Sequence, residues 1–183
     1  LRLRPDYAEA YNNRGNALLG MGRLDDALAA YDGALRLRPD YADAHYNRGN
    51  VLQDMARLDD ALAAYDTALQ LRPDLAETHN NRGNTLREMG HLDDALAAYD
   101  TALSLRPDYA DAHNNRGNAL LGMGRLDDAL AAYDGALRLR PDFADAHYNR
   151  GNALQDMARF DDALAAYDTA LSLRPGHAET HNN

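Results

Sequence analysis

The sequence predicts an all-α solenoid, a stack of helical hairpins in which each unit packs on its neighbours. Three observations carry this. Pro5, Pro39, Pro73, Pro107, Pro141 and Pro175 recur every 34 residues, and a fixed period of ~20–50 residues marks one supersecondary unit repeated along the chain. There is no isoleucine and Val51 is the only valine, so material for a sheet is scarce. Leu58, Ala61, Leu62, Tyr65, Ala68 and Leu69 fall at the i, i+3, i+4, i+7 spacing of an amphipathic helix. Stability in such an array comes from interfaces between neighbours.

The spacing divides the 183 residues into the end of a preceding unit (1–6), five complete units (7–40, 41–74, 75–108, 109–142 and 143–176) and the start of a sixth (177–183). In the unit 41–74, the spacing predicts a first helix over about Tyr41–Met55 and a second over Leu58–Leu71. Proline ends each second helix, since it lacks the amide donor and clashes with the preceding turn. The acid pairs Asp6/Glu9, Asp40/Asp43 and Asp74/Glu77 predict capping boxes at the first helices. Gly20-Met21-Gly22-Arg23 supplies a glycine for a C-terminal cap, whereas Ala56 and Ala158 replace it in two units. If those alanines are left-handed, each costs up to ~1 kcal/mol. Asp59 and Asp60 begin the second helix and Arg72 follows it, which suits the helix dipole.

A longer period lies above this one. Residues 7–81 and 109–183 differ at eight of 75 positions, namely 9, 11, 41, 51, 58, 70, 74 and 75. The units therefore run A-B-C-A-B, followed by the start of C, with a superperiod of 102 residues. Tandem duplication or design explains it most simply; one binding face shown twice, or a regular fibre, is the sharper reading. Leu1-Arg2-Leu3-Arg4-Pro5 matches the end of a unit and Asn183 falls inside an expected helix, the pattern of a window on a longer array.

Gly15, Leu18, Ala27, Tyr31, Ala34 and Pro39 return in register at Gly49, Leu52, Ala61, Tyr65, Ala68 and Pro73, and so on along the chain. This pattern resembles the tetratricopeptide repeat family, and the resemblance covers the whole sequence, in the manner of bacterial tandem arrays. It implies a right-handed superhelix whose inner face is lined by the first helices. Small residues let paired helices approach, and Tyr31 fills space between units. The sequence departs from the family at two places. The usual large aromatic is Tyr11 once and then His45, His79, His113, His147 and His181. The next apolar position is Arg14, Arg48, Arg82, Arg116 and Arg150, which should cost packing unless each guanidinium reaches an acid such as Asp32 or Asp66.

Composition narrows the chemistry. Formal charge is −10, which opposes nucleic-acid binding. All 19 basic residues are arginine, in keeping with a GC-rich genome; a bacterial cytoplasm is the default expectation. Cysteine is absent, which removes disulfides and thiolate metal sites. No apolar run reaches the ~20 residues of a membrane span. The histidines stand one layer apart, near ~10 Å, whereas metal ligands must meet at ~2 Å. Packing is the expected role of those histidines, and His91 and His177 are expected at the surface. Adjacent Asp25-Asp26 and its copies point in different directions and suit helix starts, so neither an acid–base pair nor any other catalytic set is expected, and no cofactor or metal.

The asparagines remain. Asn13/Asn16, Asn47/Asn50, Asn81/Asn84, Asn115/Asn118 and Asn149/Asn152 repeat at a spacing of three, and Asn183 begins another pair. That spacing sets both amides on one helical face. Each amide both donates and accepts, so the ladder could hold an extended peptide backbone; equally, it could bond neighbouring units and specify the stack. Flanking positions (Glu9, Asn12, Leu19, Gly20; Asp43, Tyr46, Gln53, Asp54; Glu77, Asn80, Arg87, Glu88) should tune specificity, with Tyr46, Arg87 and Tyr148 foremost. Some family members clamp a partner's terminal carboxylate with basic residues on this face. This chain lacks them, so a neutral or basic extended segment fits better. The expected function is a non-catalytic protein-interaction scaffold, with protein or peptide partners and neither nucleic acid nor membrane. Two rivals stand beside it. The Asn-x-x-Asn ladder and the phrase Arg38-Pro39-Asp40-Tyr41-Ala42-Asp43-Ala44-His45 resemble repeats ahead of O-linked N-acetylglucosaminyltransferase-like domains, which implies a substrate-recognition arm of a larger enzyme. The other is a structural array that self-associates head to tail into filaments.

Overall fold

The structure, a computed structural model, describes residues 5–174. The Asp6 side chain, His177, His181, Asn183 and the stretches 1–4 and 175–183 lie outside the described residues. Ten α-helices and no strand occupy the described residues: an all-α solenoid of helical repeats. Two compact units divide at His91/Leu92. The first holds α1 (Pro5–Gly20), α2 (Leu24–Leu37), α3 (Ala42–Asp54), α4 (Leu58–Leu71) and α5 (Ala76–Glu88). The second holds α6 (Leu92–Leu105), α7 (Ala110–Gly122), α8 (Leu126–Leu139), α9 (Ala144–Asp156) and α10 (Phe160–Leu173). In each unit every helix packs on the next, and α1 touches α3, α3 touches α5 and α7 touches α9. None of these helices is long and apolar enough to cross a membrane.

Close approach inside a hairpin depends on glycine. A Cβ built on Gly49 would stand 2.5 Å from Cε1 of Tyr65, and one on Gly117 equally close to Tyr133. Each ring is fully buried, so it lies flat on the glycine of its own hairpin. Tyr31 also packs with Ala27, Ala30, Leu18 and, in the next hairpin, Val51. The tyrosine thus fills space both within its hairpin and between hairpins.

The first-helix arginines pair as the charge pattern requires. Nε of Arg48 donates to Asp32 at 2.8 Å, Arg82 to Asp66 at 2.6 Å, Arg116 to Asp100 at 2.6 Å and Arg150 to Asp134 at 2.8 Å. Each bond joins a first helix to the second helix before it. The histidines have a polar role as well as a packing one. Nε2 of His45, His79, His113 and His147 lies 2.8, 2.9, 3.0 and 2.9 Å from the carbonyl oxygens of Pro39, Pro73, Pro107 and Pro141. A carbonyl only accepts, so Nε2 carries the proton. An imidazole reaches the turn that a hydrocarbon ring would leave unpaired.

The capping box expected at Asp40/Asp43 is not formed. The N-cap residues are Tyr41, Leu75, Tyr109 and Phe143, none with a side-chain cap bond. The acids are held elsewhere: Glu9 accepts from Arg38 and Asp43 from Arg72, while Asp111 accepts from Arg140 and Asp145 from Arg174. A guanidinium at the end of the second helix of the same hairpin outcompetes a single backbone amide, because its bond to a carboxylate is charge-assisted. Arg38 and Arg140 also lie 3.5 and 4.2 Å from the ring centroids of Tyr41 and Phe143.

First helices end in Schellman turns. In α1, the Gly22 amide donates to Leu19 O at 2.9 Å and Arg23 to Leu18 O at 3.0 Å. The same bonds close on Ala56 and Ala158, which are left-handed, at φ of 56° and 58°.

Candidate functional site

The paired asparagines divide into two jobs. In the second member of a pair, Oδ1 receives the hydroxyl of the tyrosine in its own hairpin: Tyr31 to Asn16, Tyr65 to Asn50, Tyr133 to Asn118 and Tyr167 to Asn152, all at 2.8 Å. The first member reaches back one hairpin. Nδ2 of Asn47 donates to Asn12 at 2.9 Å, and that of Asn149 to Asn114 at 3.0 Å. Asn81 donates to Asn50 at 3.0 Å and to the Tyr46 hydroxyl at 3.3 Å. A spacing of three places both amides on one face; the first member donates across the joint between hairpins and the second accepts within its own hairpin, with Asn50 accepting from both sides.

Asn13 is exposed, while Asn84 and Asn115 are half-buried and engaged by other groups. Asn12 and Tyr46, expected to tune specificity, accept interhairpin bonds, and so does Asn114. Asn12 and Asn114 are buried. Sequence reasoning missed the tyrosine hydroxyl altogether, treating the ring as filler; the constant interval between Asn16 and Tyr31, or Asn50 and Tyr65, was the available signal.

Around Asn50 the polar groups form one cluster. Gln53 Oε1 lies 3.1 Å from the Tyr65 hydroxyl and accepts from Thr85 at 3.3 Å, and its Nε2 donates to Glu88 at 3.1 Å. The Tyr46 ring lies against Tyr65, centroids 6.2 Å apart. Burial, with smaller contributions from Tyr46 and the Asp54 carboxylate, pushes the Tyr65 hydroxyl well above the ordinary tyrosine range; burial raises Tyr31 to about 12. Both therefore stay neutral donors at physiological pH. In the second unit Tyr148, Asn152, Gln155 and Tyr167 line a cavity of about 570 Å³ with Ala170 and Leu171, and Tyr148 is 55% exposed. Arg87 is half-buried, with Nε buried and unpaired.

The arrangement offers oriented amides rather than reactive groups. Once Oδ1 of Asn50 has accepted from Tyr65 and Asn81, its amide plane is fixed, and Nδ2 has no acceptor among the described residues. Asn16, Asn118 and Asn152 are fixed by their tyrosines in the same sense.

Family models agree with this architecture. One described as TPR repeat matches residues 21–55, 83–124 and 120–157. Two described as tetratricopeptide repeat match 42–75 with 144–177, and 64–97. No curated protein matches the sequence. Among solved structures, YrrB, a TPR protein with an unusual peptide-binding site, is 29% identical with a TM-score of 0.73, covering 92% of this chain and 87% of its own. MamA is 25% identical with a TM-score of 0.80, covering 90% and 96%. TTC0263, a thermophilic TPR protein in Thermus thermophilus, is 25% identical with a TM-score of 0.76, covering 94% of each. The chain belongs to the tetratricopeptide repeat family.

Proposed function

We propose that this chain is a non-catalytic protein-interaction scaffold whose first-helix asparagines receive an extended peptide. The observation that carries the reading is the state of Asn50. Its oxygen is occupied by two donors while its nitrogen has no acceptor among the described residues, and Asn16, Asn118 and Asn152 repeat the theme. Within each unit, neighbouring pre-oriented N–H donors (Asn16 and Asn50 in the first, Asn118 and Asn152 in the second) suit the carbonyls of an extended main chain, because fixing the amides beforehand lowers the entropic cost of binding. Exposed Asp54 and Glu88 flank the donors of the first unit, and the net charge is −10, so the preferred peptide is neutral or basic. The peptide-binding site of YrrB is consistent with this use of the fold.

Selection of a displayed peptide library on the full chain, followed by titration of the selected peptides, tests the reading. Asn50→Asp keeps an oxygen for Tyr65 and Asn81 but removes the donor. Neutral selected peptides should lose about tenfold in affinity, the equivalent of one ~1.4 kcal/mol hydrogen bond, with the melting temperature nearly unchanged. A library that yields no binder, or binders indifferent to Asn50→Asp, Asn118→Asp and Asn152→Asp alike, refutes it.

A further inference from the structure

One pair of hairpins is built twice, once in each unit, and the two copies agree bond for bond along their first helices. The pair is α1–α2 with α3–α4 in the first unit and α7–α8 with α9–α10 in the second. Asn47 donates to Asn12 at 2.9 Å, and Asn149 to Asn114 at 3.0 Å. The hydroxyls of Tyr31 and Tyr65 reach Asn16 and Asn50, and those of Tyr133 and Tyr167 reach Asn118 and Asn152, all at 2.8 Å. Gln53 lies 3.1 Å from the Tyr65 hydroxyl, and Gln155 lies 3.1 Å from that of Tyr167. The Tyr46 ring is tilted 46° against Tyr65, and the Tyr148 ring 49° against Tyr167. None of the eight positions that differ between 7–81 and 109–183 holds one of these residues. The polar network is thus duplicated intact while packing positions such as 51 and 153 vary around it.

The side chains around the network do not repeat at every hairpin. Where α3 carries Tyr46, Gln53 and Asp54, α5 carries Asn80, Arg87 and Glu88. The chemistry of the first helices returns only after three hairpins, at the 102-residue superperiod. A segment matched to one pair of hairpins therefore finds its match again at the other pair and not at the hairpin next door.

We propose that the chain binds one kind of extended segment twice, once on each pair of hairpins, and that its partner is a protein carrying that segment more than once. This rests on the reading that the first-helix asparagines receive a peptide. Each pair supplies two amides fixed by tyrosine, a half-buried leucine (Leu19 or Leu121) and an exposed acid (Asp54 or Asp156). The matching segment offers main-chain carbonyls to the amides and an aliphatic side chain to the leucine, and it carries no acid of its own. Two first helices, each a layer of ~10 Å, take up the ~20 Å that about six extended residues span at ~3.3 Å each. A partner with two such segments gains avidity, because its second contact forms at the effective concentration set by the first.

Isothermal titration of neutral heptapeptides, selected from a displayed library on the full chain, tests this. Two peptides should bind per chain with like affinities. Asn50→Asp should weaken one of the two sites about tenfold and spare the other, splitting the isotherm into two phases. Asn152→Asp should do the same to the other site, and the double variant should return a single, tenfold weaker phase with two peptides bound. Asn16→Asp and Asn118→Asp, on the other hairpin of each pair, repeat the test, and circular dichroism confirms that the helices persist. One peptide per chain overturns the proposal: weakening by both Asn50→Asp and Asn152→Asp means that a single peptide runs over both pairs, and weakening by only one means that the pairs are not equivalent. In either case the peptide reading of the asparagines stands. A library without a binder, or binding indifferent to all four single variants, overturns that reading and this proposal with it.

Discussion

Replacing Ala56 by glycine should stabilise the protein, although the change removes a methyl group next to a helix. Ala56 closes the Schellman turn of α3 at φ 56°, with its amide 2.8 Å from Gln53 O and the Arg57 amide 2.8 Å from Leu52 O. Glycine closes the same turn in α1, where Gly22 sits at φ 71° and makes the matching bonds. Hydrogen bonding is therefore equal in the two cases, and the difference lies in the backbone. A left-handed L-residue costs ~1–2 kcal/mol, while glycine gives back ~0.5–1 kcal/mol through its looser unfolded chain. The net gain is about 1 kcal/mol per site, or ~2–4 °C in melting temperature for a chain of this size. Ala158, at φ 58°, should respond equally, and the double variant should add, because the sites share no partner. The converse is Gly124→Ala. Its φ is +72° and an added Cβ meets nothing within 4 Å, so it should lose about 1 kcal/mol by strain alone. Thermal melts followed by circular dichroism suffice. If Ala56→Gly lowers the melting temperature, as glycine does in a regular helix, the strain argument is wrong.

Two further outcomes follow from the tyrosine that lies on glycine in each hairpin. Gly49→Ala drives a Cβ to 2.5 Å from Cε1 of the buried Tyr65 and should cost ~1–3 kcal/mol as overpacking; a urea melt reads it, and Gly20→Ala, with nothing within 4 Å, is the near-neutral control. Alkaline pH should unfold the array: Tyr31 is raised to about 12 by burial, above the ~10 of an unfolded tyrosine. The neutral hydroxyl's contribution is thus complete below ~10 and lost as pH rises through about 12. Tyrosinate absorbance measured beside helicity checks this, and every tyrosine ionising together near ~10 with the helices intact would contradict it.

Much of the fold could be read from punctuation. Proline and the Schellman glycine mark the ends of helices, so the expected Leu58–Leu71 is α4 as observed, and the expected Tyr41–Met55 differs from α3 by one residue at each end. Arg48 and Asp32 were legible because a half-buried cation needs a partner, and the second helix carries an acid in reach. Capping failed as a reading because a local pattern, acid three residues after acid, says nothing of Arg72 arriving from the far end of the hairpin. The histidine bond to the Pro39 carbonyl escaped for a related reason. It depends on how the chain turns between Pro39 and Ala42, and no propensity records that. The asparagines posed the deepest ambiguity, since a period of 34 repeats a residue identically whether it serves stacking or a ligand.

The eight differences between residues 7–81 and 109–183 help to separate those roles. Several exchange a side chain while retaining its contact. Glu9 and Asp111 both receive an arginine, Tyr41 and Phe143 both lie beneath one, and Tyr11 and His113 both face a glycine of the next helix, Gly33 and Gly135. Val51 and Ala153 are both fully buried. Packing and charge pairing tolerate such exchanges because they demand volume or sign, not direction. Asn50 is held to a stricter requirement. One oxygen must take the Tyr65 hydroxyl and the Asn81 amide together, which an alkyl or hydroxyl side chain cannot reproduce at that reach and aspartate can. Stacking therefore needs the oxygen alone. For neutral peptides, the loss that follows Asn50→Asp in a correctly folded array reports the exchange of an N–H donor for a carboxylate oxygen, which makes that substitution the one that separates recognition from architecture.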